Sequence, residues 1–130
     1  MTGKKVPRGP SPDLVVLRQW EAFAASFLRQ ANRWPKIHRF TLSQRLQNLT
    51  LDVLEKLVQA RYEPSQRSQN LAECNMILER MRFLMRVAHQ LNVCSGRGFE
   101  NILRSLDETG RMLHGWRVSH ERKEVSHRQA

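Results

Sequence analysis

Turn-forming residues occur at only a few places in the middle of this chain, and they separate long segments of helical periodicity. Pro35 and the Glu63-Pro64-Ser65 stretch are the clearest breaks, and a third lies between Leu91 and Ser95. Strands would need such signals at much shorter intervals. We therefore predict an all-α fold of four helices, which short loops would force to run up, down, up and down as an antiparallel bundle.

The apolar spacing predicts the limits of each helix. Helix 1 begins near Ser11 or Asp13 and stops before Pro35, which a helix cannot easily pass. Thr41 with Gln44 resembles a capping box and opens helix 2, which runs to about Tyr62. The other two predicted helices are 68–91 and 95–117.

The two ends of the chain lack a face that could pack. Residues 1–12 combine three prolines, two glycines and three cations, so we expect a flexible basic arm. Residues 119–130 are polar apart from Val125 and Ala130, and we expect a disordered tail. The predicted bundle is therefore a single domain over residues 13–118.

Compartment is inferred from cysteines and from apolar run length. Cys74 and Cys94 would lie about 30 Å apart on one helix, which excludes a disulfide and favours free thiols in a reducing cytosol. No apolar run approaches the roughly 18 residues of a membrane span. We expect a cytoplasmic protein without a membrane partner.

The predicted helices 2 and 3 have apolar faces wider than one bundle core requires. On helix 3 the apolar residues cover well over half the circumference, from Cys74 to Leu91. Such a surface is best buried against another copy of the chain, which predicts a homo-oligomer. The alternative is that these are simply the more central helices.

Positive charge is concentrated at one end of the predicted bundle. The chain has 22 Lys and Arg against 12 Asp and Glu, and 17 of the 22 are Arg, whose planar donor fork matches phosphate. Antiparallel helices would bring together Arg29, Arg33, Lys36, His38, Arg39, Arg45, Arg86 and Arg97. Against these stands Glu100 alone, so this end would attract a polyanion such as nucleic acid. The alternative is a solvated end without a partner.

Arg82 and Arg86 form a second candidate feature. They lie one helical turn apart on the polar strip of helix 3, framed by apolar residues, and we expect both side chains to face solvent. Arginines in such settings often anchor protein or RNA contacts, although they would serve equally well as solubilising residues.

Patterns of reaction chemistry are weak throughout. The only Glu-x-x-His, Glu124 to His127, lies in the polar tail, and neither zinc spacing nor a Walker loop occurs. We expect no catalytic residue, no metal or cofactor and no small-molecule substrate, which favours a binding protein over an enzyme.

Four short motifs give the chain a family resemblance. They are Trp34-Pro35-Lys36, Arg39-Phe40-Thr41-Leu42, Arg82-Phe83-Leu84-Met85-Arg86 and the segment from Glu108 to Trp116. In this order and spacing the chain resembles the accessory variability determinant (Avd) proteins over nearly all of residues 13–118.

The resemblance implies a function as well as a fold. Avd proteins are non-catalytic four-helix subunits that form pentameric barrels and accompany the reverse transcriptase of diversity-generating retroelements. The resemblance therefore implies that this chain binds the reverse transcriptase and the template RNA, and possibly cDNA, in mutagenic retrohoming. It also implies that Arg82 and Arg86 occupy the family's paired-arginine positions.

Two alternatives stay open. Four-helix proteins encoded in intervening sequences of ribosomal RNA genes share the bundle and the Pro-Lys turn, and they have no established reverse transcriptase partner. The second alternative is a purely structural oligomer with no role in nucleic-acid binding.

Overall fold

A computed structural model describes residues 11–129, which contain four α-helices and no strand. The helices are α1 (Pro12–Ala31), α2 (Gln44–Tyr62), α3 (Arg67–Gln90) and α4 (Gly96–Gln129). The all-α prediction is confirmed. Within residues 11–129, none of the helices combines the length and apolar character needed to cross a membrane. Most of the predicted basic arm, residues 1–10, lies outside the described residues.

Contacts between successive helices show that each runs opposite to the one before. Arg61 at the end of α2 pairs with Asp13 at the start of α1. Ser43, just before α2, donates a hydrogen bond to the carbonyl oxygen of Ala31 at the end of α1. Near the start of α3 and the end of α4, the Ser68 hydroxyl donates to the Glu121 carboxylate. The helices therefore form the antiparallel arrangement that the short connections require.

The core is built from one apolar stripe on each helix. Trp20 and Phe27 of α1 are fully buried, and the Trp20 indole donates a hydrogen bond of 2.8 Å to the carbonyl oxygen of Thr50 on α2. The large buried side chains of the other helices are Leu46, Leu57, Leu71, Leu78, Met81, Met85, Leu106 and Leu113. Burying side chains of this size is the main stabilising contribution to such a bundle.

Helix boundaries follow local chemistry. Pro12 occupies the first turn of α1, where its missing N–H costs nothing. Asn92, with φ of 57°, ends α3, and the amide of Val93 donates to the carbonyl of Ala88 as in a Schellman motif. The Ser95 hydroxyl accepts the amide of Gly98 at 3.0 Å and so caps α4.

Two local predictions were wrong. The capping box at Thr41 and Gln44 does not form, because residues 36–43 wind as a 3₁₀ turn (Lys36–His38) followed by a π-helical turn (Arg39–Ser43). Helix 1 was expected to continue as far as Pro35, but α1 ends at Ala31, so Trp34 lies beyond it; the Trp34 ring packs edge-on against Phe27 with centroids 5.8 Å apart.

The predicted disordered tail is also wrong for the described residues, since α4 continues to Gln129. His120 in this segment is buried, with its ring within 3.5 Å of Arg67 on one side and of Glu124 on the other. Arg117 also pairs with Glu121 one turn later along the helix. The polar end of α4 is therefore tied to α3 by polar contacts, which apolar periodicity does not report.

Candidate nucleic-acid interface

The predicted basic cluster lies at one end of the bundle, where α1 ends, α2 begins, α3 ends and α4 begins. We call this surface the basic pole. Its members are Arg29, Arg33, Lys36, His38, Arg39, Arg45, Arg86 and Arg97. All are exposed except His38, which is half-buried. Topology therefore brings together side chains that are up to 68 positions apart in the chain.

Side chains of neighbouring helices meet at the basic pole. The rings of His89, near the end of α3, and Phe99, in the first turn of α4, stack with centroids 4.4 Å apart. Arg45 of α2 and Phe83 of α3 line the same groove. These contacts hold the ends of the helices together, so the cations around them form one surface.

The charges of the basic pole are not neutralised by neighbouring carboxylates. Among the described residues, the ion pairs involve Lys56, Arg61, Arg82, Arg117 and His120, and no cation of the pole. Glu100, the carboxylate that the sequence places among these cations near the start of α4, is itself exposed. Seven permanent cations therefore face solvent with a local surplus of six. Such a surface concentrates positive potential over a small area.

Acidic residues in other parts of the bundle pair with cations that do not belong to the basic pole. Asp13 accepts a hydrogen bond of 2.7 Å from Arg61, and Glu73 accepts one of the same length from Lys56. Hydrogen bonds from Lys56 and then from Gln69 lower the pKa of Glu73. The carboxylates thus tie helices together at the other end and leave the basic pole unpaired.

Arg82 does not have the environment that the sequence predicted. Its guanidinium contacts Glu79 on α3 and Asp107 on α4, and its side chain is 26% exposed. The expectation that it faces solvent freely was wrong, because two carboxylates one turn away and across the helix interface hold it. Arg86 is exposed as expected, with its guanidinium carbon 5.5 Å from the centre of the Phe83 ring.

The apolar excess predicted for α2 and α3 is present on the surface. Leu51 and Val58 of α2 are partly exposed, and Met76, Phe83 and Val87 of α3 are 62%, 61% and 45% exposed. Met76 and Phe83 line a groove between the two helices, together with Arg80. Arg80 does not pair with Glu73, whose carboxylate is taken by Lys56 and Gln69. A single copy of the chain leaves this surface, which we call the α2–α3 face, uncovered.

Both cysteines are free thiols. Burial raises the pKa of Cys74 to about 12, so its thiol stays protonated and poorly nucleophilic at neutral pH. Cys94 is half-buried, and burial raises its pKa as well.

Exposed apolar side chains in the connection between α1 and α2 were not anticipated. Ile37 and Phe40 are 81% and 75% exposed and lie among the cations of the basic pole. A sequence signal did exist, because neither residue falls in register with Leu42, Leu46 and Leu49, which face the core.

Comparison with known proteins gives a family for this chain. Residues 14–120, most of the chain, match a family model described as bAvd-like. No match is found among curated proteins. The resemblance to the Avd proteins is thereby confirmed, and the chain belongs to the bAvd-like family.

Proposed function

We propose that this protein is a non-catalytic accessory subunit of a diversity-generating retroelement, which binds the reverse transcriptase and template-derived RNA. The observation that carries the proposal is the basic pole, whose seven permanent cations form no ion pair with any other described residue. Membership of the bAvd-like family supplies the biological setting.

Unpaired arginines are suited to phosphate. Six of the seven cations are Arg, whose fork of donors takes phosphate oxygens two at a time. Each phosphate that they neutralise releases condensed counterions into the bulk solution. This release makes a favourable entropic contribution to binding, which becomes smaller as the salt concentration rises. Because the helices hold the cations at one end, RNA would meet several of them at once.

Assembly is the second part of the proposal. The α2–α3 face exposes apolar side chains along one side of α3, and burying them against another copy would remove them from water. We favour a homopentameric barrel, by similarity to Avd proteins. A ring of five copies would repeat the basic pole five times and so multiply its attraction for RNA.

In this proposal the reverse transcriptase catalyses cDNA synthesis, and the accessory protein catalyses no step. The accessory protein would hold template RNA, and possibly cDNA, close to the reverse transcriptase while synthesis begins and continues. Arg86 and the rest of the basic pole would make the contacts.

Two measurements test the proposal. The first is electrophoretic mobility of a structured RNA with the protein over a salt series, in which affinity should fall steeply as salt rises. The second is co-purification with a reverse transcriptase encoded beside the gene. RNA binding without a neighbouring polymerase gene would favour a protein of the ribosomal intervening-sequence type. A protein that retards no RNA even at low salt would be a structural oligomer, which contradicts the proposal.

A further inference from the structure

The connection between α1 and α2 exposes apolar side chains where the fold does not require them. Ile37 and Phe40 are 81% and 75% exposed, although Leu42 in the same connection is buried. Lys36, His38 and Arg39 flank them in the sequence. A π-helical turn holds Arg39 to Ser43, and such turns are frequent at functional sites. The exposed apolar side chains and the charges thus share one short segment.

A small pocket lies beside Phe40. It has a volume of about 220 Å³, and its lining residues include Phe40 and Trp34. Trp34 is half-buried and held by Phe27, with the two rings nearly perpendicular at 88°. Trp34 therefore packs against the core, whereas Phe40 is 75% exposed.

The other lining residues are polar apart from Ala31 and Pro35, and none of them carries a negative charge. Among them, Asn32, Gln44 and Gln47 have side-chain amides and Arg39 has a guanidinium. Amides offer both donors and acceptors, which is what the edge of a nucleobase requires. The Gln47 amide is oriented by its hydrogen bond of 2.9 Å to the Ser43 hydroxyl.

Size limits what can enter. Pockets for drug-sized ligands usually measure roughly 300–1,000 Å³, so this one suits a single planar ring better than a whole nucleotide. Ribose and phosphate would remain outside, where Arg33, Lys36 and Arg39 are exposed. Aromatic stacking combined with cations along the backbone is how proteins bind single strands.

We propose that this pocket, between Trp34 and Phe40, takes one unpaired nucleobase of single-stranded RNA. The inference rests on the proposed RNA-binding function and adds that the protein distinguishes single strands from duplexes. Bases inside a duplex are stacked and paired, so they cannot reach the pocket. An anionic lipid surface would also attract exposed Ile and Phe beside Lys and Arg, but it would leave the amide lining unused.

The test compares two RNAs of the same sequence by fluorescence anisotropy. One is a labelled single strand of roughly 12 nucleotides, within the usual range of such sites, and the other is that strand annealed to its complement. The variants are Phe40→Ala, Phe40→Tyr, which keeps a ring, and Tyr62→Ala as the matched control. Tyr62 is 71% exposed and lies at the opposite end of the bundle, at the end of α2.

Phe40→Ala should weaken single-strand binding about tenfold, as expected for the loss of one stacked base, and leave duplex binding unchanged. Phe40→Tyr should restore single-strand affinity, and Tyr62→Ala should change neither. Because Phe40 is exposed, circular dichroism should show both Phe40 variants folded.

Four outcomes would overturn the inference. Equal losses on both RNAs, or no loss, would remove the base from the pocket, while salt-dependent binding by the unmodified protein would leave the proposed function standing. Binding of neither RNA would reject both. Loss of binding to anionic phospholipid vesicles in Phe40→Ala, with RNA affinity intact, would assign the segment to a membrane surface instead.

Discussion

Arg82 on α3 reaches across the helix interface to Asp107 on α4, with its Nε and Nη2 atoms each 2.9 Å from the same carboxylate oxygen. Glu79 on α3 contacts the same guanidinium. Arg86, one turn further on, has no carboxylate partner among the described residues and faces solvent. The two arginines are equivalent in sequence pattern but differ in what they can do, which separates their expected mutant phenotypes.

Arg82→Ala should lower the free energy of unfolding by about 1 kcal/mol, because it removes a partly exposed tie between α3 and α4. Arg86→Ala should leave stability unchanged and weaken binding of reverse transcriptase or RNA. Chemical denaturation and pull-down of the polymerase measure the two effects. Equal stability losses in both variants, or an Arg86→Ala protein that binds normally, would contradict this division.

Replacing Arg29, Arg33 and Arg39 together by Gln should lower RNA affinity and flatten its salt dependence. Each lost phosphate contact removes roughly 0.7 to 0.9 from the slope of log affinity against log salt. The control replaces Arg18, Arg111 and Arg122, which are exposed towards the other end. An identical slope change in the control would show that net charge, and not the basic pole, decides binding.

Phe83→Glu should disrupt self-association, because it places a charge in the centre of the α2–α3 face. The side chain is 61% exposed in one copy, so the helix itself should remain folded. Analytical ultracentrifugation should show a smaller species than for the unmodified protein, and Val125→Glu, an exposed position near the end of α4, serves as the control. A Phe83→Glu protein of undiminished mass would place the interface elsewhere.

Stability should depend on pH through Asp13. Burial tends to raise the pKa of Asp13, but the hydrogen bond from Ser11, the charge of Arg61 and hydrogen bonds from the backbone amides of Asp13 and Leu14 together outweigh it, so the pKa lies below its ordinary value. A lowered folded-state pKa contributes stability above the unfolded value, and that contribution is lost as pH falls through the folded pKa. Asp13→Asn should therefore be less stable than the unmodified protein at about pH 7, and the difference should shrink below about pH 4. Thermal unfolding across this range measures it; a difference that does not change with pH would exclude the pair as its source.

The two thiols should differ in reactivity. Cys74 is fully buried with a pKa of about 12, whereas Cys94 is half-buried. Alkylation of the native protein followed by mass spectrometry should label Cys94 first and Cys74 only after unfolding. Rapid labelling of Cys74 in the folded protein would indicate that the core opens locally.

Much of the fold was predictable because apolar residues recur at regular helical spacing in each helix and because turn-forming residues mark the helix ends. Pro64 and Ser95 lie at helix boundaries in the structure as they do in the sequence pattern. The wrong predictions for Arg82 and for the end of the chain concern features that depend on contacts between distant residues. At the end of α4, His120 lies 3.5 Å from Arg67, 53 positions away, and no local pattern contains that contact.

The candidate site also has some features that the sequence predicted and others that depend on the tertiary structure. Residue types and their spacing alone determined that the chain is arginine-rich, helical and cationic at one end, since these follow from composition and from 3.6-residue periodicity. Tertiary structure decided which cations are free, because a guanidinium such as that of Arg82 is neutralised only when folding brings Asp107 beside it. It also decided that Phe40 and Trp34 line one pocket, since this requires the connection after α1 to wind as 3₁₀ and π-helical turns.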